Sequence, residues 1–192
     1  EYDVVVVGAG GAGLRAAIES SRQGVKTAII CKSLLGKAHT VMAEGGAAAA
    51  LANADDRDGW QTHFKDTMKG GKYLNNWRMA QIHAKEAPDR IRELEQWGAV
   101  FDRTPKGLIN QRNFGGHTYP RLAHVGDSTG LEIIRTLQEK GIHSGVDIFM
   151  EYTVRDLLLD DDGVCVGCVA YDRVDGAMHA FSSKSVILAT GG

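Results

Sequence analysis

The stretch Tyr2-Asp3-Val4-Val5-Val6-Val7-Gly8-Ala9-Gly10-Gly11-Ala12-Gly13-Leu14-Arg15 decides the fold. Four consecutive valines behind polar residues predict a strand buried on both faces. They run directly into Gly8-x-Gly10-x-x-Gly13, and an alanine-rich helical stretch follows. The three glycines have separate roles. Gly8 makes the tight turn, Gly10 lets backbone approach a pyrophosphate, and Gly13 lets helix pack on strand. Free N–H groups and the dipole at the helix start favour phosphate charge. A glycine triplet alone is a weak signal. With a strand before it and a helix after it, it reads as a dinucleotide site.

The helix is predicted to run from Gly11 to about Gln23, with Gly24 as its stop, and Lys26–Cys31 supplies the next strand. An acidic residue commonly ends that strand and binds the ribose hydroxyls. Here Cys31-Lys32-Ser33 stands in its place, and a lysine there suits a 2′-phosphate, so NADP is a rival cofactor on these residues alone. Next comes Gly36 to Ala50, rich in glycine pairs and alanines, with His39 and Glu44 among them. Small residues let backbone approach a flat ligand closely. The bland alternative is a flexible loop with a solvated histidine.

Further on, Asp58–Lys69 predicts a helix closed by Gly70-Gly71. Asn76–Ala87 predicts another, with Trp77, Ala80, Ala84 and Ala87 along one face. Pro88 is expected to break it, and Asp89 to cap a third helix with Ile91, Leu94 and Trp97 inward and Gly98 at its end. His63 and His83 are expected at the surface or the edge of the core. Val100–Gly116 reads as loop or hairpin ending in Gln111-Arg112-Asn113-Phe114-Gly115-Gly116. His117, Arg121 and His124 are candidate polar ligand groups or members of an ordinary surface loop. A helix to about Lys140 follows. From Asp147 to Phe181 the pattern alternates as IFMEYTV, VCVGCVAYD and MHAFSS, with turns at Asp160–Gly163 and Asp175-Gly176, which predicts a three-stranded antiparallel meander. Ser185–Gly192 reads as a separate buried strand ending at a glycine pair.

The chain has 192 residues, 43% of them hydrophobic and 24% charged, enough to bury a core within one domain and a piece of another. A formal net charge of -2 offers no basic patch for nucleic acid. No apolar run approaches the roughly 20 residues that a spanning helix needs. Three cysteines do not make a disulfide framework, and Cys165 and Cys168, three apart on a strand, point to opposite faces as packing residues rather than metal ligands. A start just before one strand and a stop just after another make the sequence look like an incomplete fragment.

In order, GAGGAG, CKS, HTVMAEGG, QRNFGG, DSTG, the meander and ATGG make the whole chain resemble the flavoprotein subunit of the succinate dehydrogenase and fumarate reductase family. The resemblance implies an α/β, Rossmann-like FAD-binding domain: a parallel sheet with helices plus the antiparallel meander. Residues 1–192 would be its N-terminal part, with the family's capping domain and C-terminal helical domain absent. In that family a lysine at the Lys32 position replaces the usual acidic residue, which takes most of the weight from NADP.

Carried over residue by residue, Gly8, Ala9, Gly10, Gly11, Ala12 and Gly13 would cradle the FAD pyrophosphate, and Lys32 and Ser33 would lie near the adenosine. His39 matches the histidine bonded to the 8α-methyl carbon of the flavin. The family usually has Arg-Ser ahead of it where this chain has Lys37-Ala38, so the cation is kept and the serine lost. Thr40, Glu44, Gly45, Gly46 and Ala47 would line the isoalloxazine, Thr153 and Val154 the adenine, and Thr190 and Gly191 a turn beside the cofactor. Phe114 matches an aromatic that touches the dicarboxylate substrate.

The resemblance implies interconversion of succinate and fumarate by hydride transfer to FAD. Electrons would pass to an iron–sulfur subunit, membrane-anchor subunits and a quinone. The protein would sit peripherally on the inner face of a bacterial membrane, or on the matrix face in mitochondria. The catalytic arginine and the carboxylate clamps match nothing in this chain, so no catalytic residue is assigned and the fragment alone is expected to be inactive. Fumarate reduction as the physiological direction and L-aspartate oxidase, which generally lacks the histidine at the His39 position, stay as alternatives. A purely nucleotide-binding or assembly module is the non-enzymatic one.

Overall fold

The computed structural model describes residues 1–191. In chain order the elements are β1 (Tyr2–Val7), α1 (Gly11–Arg22), β2 (Thr27–Cys31), a 3-10 turn (His39–Met42), β3 (Ala47–Ala48), α2 (Trp60–Gly70), α3 (Trp77–Gln96), β4 (Gln111–Arg112), β5 (Leu122–Ala123), α4 (Thr129–His143), β6 (Asp147–Met150), β7 (Tyr152–Leu159), β8 (Cys165–Asp172) and β9 (Met178–Leu188). They fall into two units, Glu1–Val41 with the chain from Ile134 onward, and Met42–Ile133.

In the first unit the valine run becomes an inner strand of a six-stranded sheet ordered β6-β2-β1-β9-β8-β7. β1 is parallel to β2, with Val5 opposite Ala28, and parallel to β9, with Val5 opposite Val186. Val5 and Val6 are both 0% exposed, so both faces of the strand are covered, as an unbroken apolar run requires. The α1 face that buries is Gly13, Leu14, Ala17 and Ile18. A separate cluster joins Val5, Val7, Ala28 and Ile30 to Cys168, Ala170 and Phe181 of the meander. Each large aliphatic side chain removed from water there contributes about 1.5–3 kcal/mol, so these clusters dominate the unit's stability.

The meander differs from its sequence reading at both ends. IFMEYTV is not one strand: Glu151 has φ +63° and divides it. β6 before it pairs parallel with β2, and β7 after it pairs antiparallel with β8. A glutamate there carries no local signal of a left-handed residue, which is why alternation ran straight through it. MHAFSS and the closing apolar run, in turn, are one strand. β9 pairs antiparallel with β8 up to Ser182 and parallel with β1 from Ser183 onward. Its end is not buried, since Ile187 is 36% and Leu188 62% exposed. Gly192 lies outside the described residues. Cys165 and Cys168 are free thiols, and burial pushes Cys168 up to about 11, so it stays a protonated packing group at neutral pH.

In the second unit β3, β5 and β4 form a small antiparallel sheet beside the helices α2 and α3. Pro88 does not end a helix: α3 runs through it and is twenty residues long in all. Its ring removes one N–H and costs roughly 3 kcal/mol in a helix interior. Ala80, Ala84, Ala87, Ile91 and Leu94 nevertheless form one buried face across the proline, and that shared burial outweighs the local penalty. The helix starts within a residue of the expected Asn76, whose side chain caps it by accepting from the N–H groups of Arg78 and Met79. Trp77, expected on the inward face, is instead 53% exposed.

Candidate cofactor site

At the C-terminal edge of β1 the glycine loop takes the geometry its spacing predicts. Gly8 has φ +111°, and a Cβ there would stand 2.2 Å from the Ala189 carbonyl oxygen. A Cβ on Gly13 would stand 1.8 Å from the Gly8 carbonyl oxygen. Gly8 and Gly13 are therefore glycines for close backbone approach, whereas Gly10 has nothing nearer than the Thr40 hydroxyl oxygen at 3.4 Å. α1 begins with no side-chain cap on Gly10 and no acidic residue in its first turn. One first-turn donor is used internally, from Gly11 N–H to Thr40 Oγ1 at 3.2 Å.

This loop opens into a cavity of about 420 Å³ within the first unit. Among the sequence-predicted residues, Gly8, Ala9, Gly10, Lys32, Ser33, His39, Thr40, Thr153, Val154, Thr190 and Gly191 line it together. Gly11, Ala12 and Gly13 form the first turn of α1 behind that lining. Sequence reasoning missed Tyr152 and the β2 residues Ile30 and Cys31 as further lining. The Lys32 carbonyl accepts from Arg173 Nη1 at 2.8 Å, which fixes the segment after β2. His39 is exposed and is among the residues that line the cavity.

The lining fits a dinucleotide with a diphosphate. It holds Lys32 and Lys37 but, among the described residues, no Asp or Glu. The uncapped start of α1 offers backbone donors and the positive end of its dipole to phosphate oxygens. Ile30, Val154 and Leu34 supply apolar walls for a ring system.

The other predicted residues, Glu44, Gly45, Gly46, Ala47 and Phe114, lie in the second unit. Ala47 pairs with Ala123 of β5. Gly46 has φ +119°, and a Cβ there would meet the Ala123 carbonyl oxygen at 2.9 Å. A Cβ on Gly45 would touch the Phe114 ring at 3.4 Å. Phe114 is 58% exposed, and its ring centroid is 6.3 Å from that of His117.

Behind this turn the polar candidates separate. Arg121 is not a free ligand group but 0% exposed, with Nη2 2.8 Å from Asp58 and 3.0 Å from Asp66. Asp66 also accepts from the N–H and hydroxyl of Thr118. Burial raises the Asp58 carboxyl against the pull of Arg121. At Asp66 burial acts the same way, but the Thr118 bonds and Arg121 together bring its pKa below the usual value. His63, expected at the surface or the edge of the core, is 2% exposed and stacks edge-on with His83, their centroids 5.2 Å apart. His124 is 8% exposed, with Nδ1 2.8 Å from Asp102.

A strand–glycine loop–helix unit with an acid-free, donor-rich cavity at the end of its parallel strands defines an α/β nucleotide-binding domain of the Rossmann type. Similarity to known proteins narrows that class. The chain belongs to the family described as FAD binding domain, whose model matches residues 3–192. It is 44% identical to the succinate dehydrogenase flavoprotein subunit of Rickettsia conorii, covering 100% of this chain and 33% of that protein. Identity is also 44% to a fumarate reductase (CoM/CoB) subunit of Methanothermobacter marburgensis, covering 100% of this chain and 35% of that one. Among solved structures, the Mycobacterium smegmatis Sdh1 complex superposes with a TM-score of 0.95 at 58% identity, over 100% of this chain and 34% of that one. The chain thus spans about a third of the length of these relatives.

Proposed function

We propose that this chain is the FAD-holding part of a flavoprotein subunit that interconverts succinate and fumarate and passes electrons to an iron–sulfur subunit. The observation that carries the reading is the single cavity lined by the glycine loop, Lys32, His39, Thr40 and Thr190, in a chain whose relatives bear succinate dehydrogenase and fumarate reductase names. When bound, FAD supplies the hydride acceptor. The residues of this chain bind and orient it. The Gly8–Gly13 backbone and α1 hold the pyrophosphate, Lys32 and Ser33 with Thr153 and Val154 hold the adenosine, and Thr190 and Gly191 close the turn beside it. Thr40 to Ala47 would line the isoalloxazine, and Phe114 would contact the dicarboxylate. Membrane-anchor subunits with a quinone would complete the electron route. Among the described residues no helix is long and apolar enough to cross a membrane. The full subunit would sit peripherally on the inner face.

His39 is proposed to carry FAD covalently through a ring nitrogen. The full-length flavoprotein, acid-precipitated, digested and examined by mass spectrometry, is expected to show flavin on the peptide containing His39. Flavin recovered wholly in the supernatant would remove the covalent bond and favour the L-aspartate oxidase reading. A purified full-length protein without flavin, or with flavin but no succinate or fumarate turnover, would overturn the proposed function.

A further inference from the structure

The guanidinium of Arg112, on β4, has three partners, all in the second unit. Nη2 donates to the Glu44 carbonyl at 2.7 Å, Nε donates to the Gly45 carbonyl at 2.8 Å, and Nη1 meets the Asp127 carboxylate at 3.1 Å. The fork thus grips two consecutive carbonyls of one turn. A trans peptide points its C=O and N–H in opposite directions, and the chain has no cis peptide. Holding the Glu44 and Gly45 carbonyls against Arg112 therefore turns the N–H groups of Gly45 and Gly46 away from it. Among the described residues neither N–H has a backbone acceptor. The rest of the turn is held as well: Phe114 packs over Gly45, and Gly46 lies against β5.

We propose that Arg112 is a positioning residue that fixes two adjacent peptide planes, so that the Gly45 and Gly46 amides present a pair of donors to acceptor atoms of the flavin ring. The inference rests on the reading of this turn as flavin-facing. Donors fixed toward the ring stabilise the negative charge that develops on reduction, and they need no reorganisation when it develops. A lysine cannot replace the fork, because one compact ammonium lacks the planar pair of donors that matches two neighbouring acceptors. Asp127 anchors the third nitrogen and is not itself part of the turn.

The test uses the full-length flavoprotein and three variants, Arg112→Gln, Arg112→Lys and Asp127→Asn, with FAD content and flavin midpoint potential measured for each. Both Arg112 variants are expected to keep FAD and to lower the potential, with the reduced-to-oxidised ratio at fixed potential falling at least tenfold, a shift of about 30 mV for two electrons. Asp127→Asn, which leaves the fork on the carbonyls, is expected to stay near wild type. If Arg112 acted only through its charge, Arg112→Lys would keep the wild-type potential and Asp127→Asn would raise it; either result overturns the inference. Wild-type potentials in flavin-loaded Arg112→Gln and Arg112→Lys overturn it too, while leaving the proposed function intact. A wild-type protein without flavin overturns both. If neither Arg112 variant takes up FAD although the flavin-free proteins melt at the wild-type temperature, Arg112 serves binding rather than the potential, which overturns the inference.

Discussion

The Gly8 carbonyl oxygen and a Cβ built on Gly13 would be 1.8 Å apart, a contact that only a glycine at position 13 avoids. Alanine is the better helix former by up to about 1 kcal/mol, yet here that gain is outweighed because both nearest atoms belong to backbone. Gly13→Ala is expected to destabilise the flavin-free protein by about 3 kcal/mol, at the upper end for overpacking. Gly10→Ala meets only ordinary contacts, at 3.4 Å and 3.7 Å, so it should melt near wild type. If the pyrophosphate lies as proposed, its methyl would stand in the approach, and FAD affinity should fall at least tenfold, or about 1.4 kcal/mol. Thermal midpoints of the flavin-free proteins and FAD titrations separate the two roles. Equal melting losses for both variants would contradict the assignment.

The same pair shows what was legible in sequence. Strand, glycine loop and helix are adjacent along the chain, so the pattern of residues 4 to 13 carried the geometry with it. The cavity followed for the same reason: most of its lining sits on short segments just after β1, β2 and β9. Arg121 and Asp58 are 63 residues apart, and no local pattern marks either as buried. Arg112 was quoted only as part of a motif, because its function lies in two carbonyls 67 and 68 residues away. At Pro88 and Glu151 local rules pointed the wrong way, each overruled by burial or pairing that periodicity does not encode.

Arg121 answers to two carboxylates and lies fully out of water, so its loss should be felt differently from that of a surface cation. Arg121→Met would leave Asp58 and Asp66 without their buried counter-charge, and removing one partner of such a group costs about 3–5 kcal/mol. Neutralising one acid at the same time should recover part of this, so Asp58→Asn combined with Arg121→Met is expected to be more stable than Arg121→Met alone. Urea denaturation of the full-length protein measures both. A cost for Arg121→Met below that of a typical surface substitution, about 0.5 kcal/mol, would mean that the cluster is solvated.

His63 gives the fold a pH dependence of definite sign. Burial, then the Arg121 charge and the neighbouring His83 and His117, push its pKa down to about 4, with Asp66 pulling weakly the other way. His117 is lowered in the same direction, mainly by burial. An unfolded histidine titrates near 6.5, so between roughly pH 6.5 and 4 the unfolded chain takes up a proton that the fold refuses. The stability from neutral His63 is therefore complete above that window and is lost as pH falls through it. From pH 7.5 to pH 5 the loss from this residue alone is about 2 kcal/mol. His63→Gln removes the titration, so its stability should fall less over the same interval, with the difference between the two proteins appearing below pH 6.5. Asp58 and Asp66 remain in both proteins, so their own titration largely cancels in that difference. Urea midpoints of the flavin-free full-length protein at pH 7.5 and pH 5 measure it, and parallel declines in the two proteins would show that His63 is protonated in the fold as readily as in the unfolded chain.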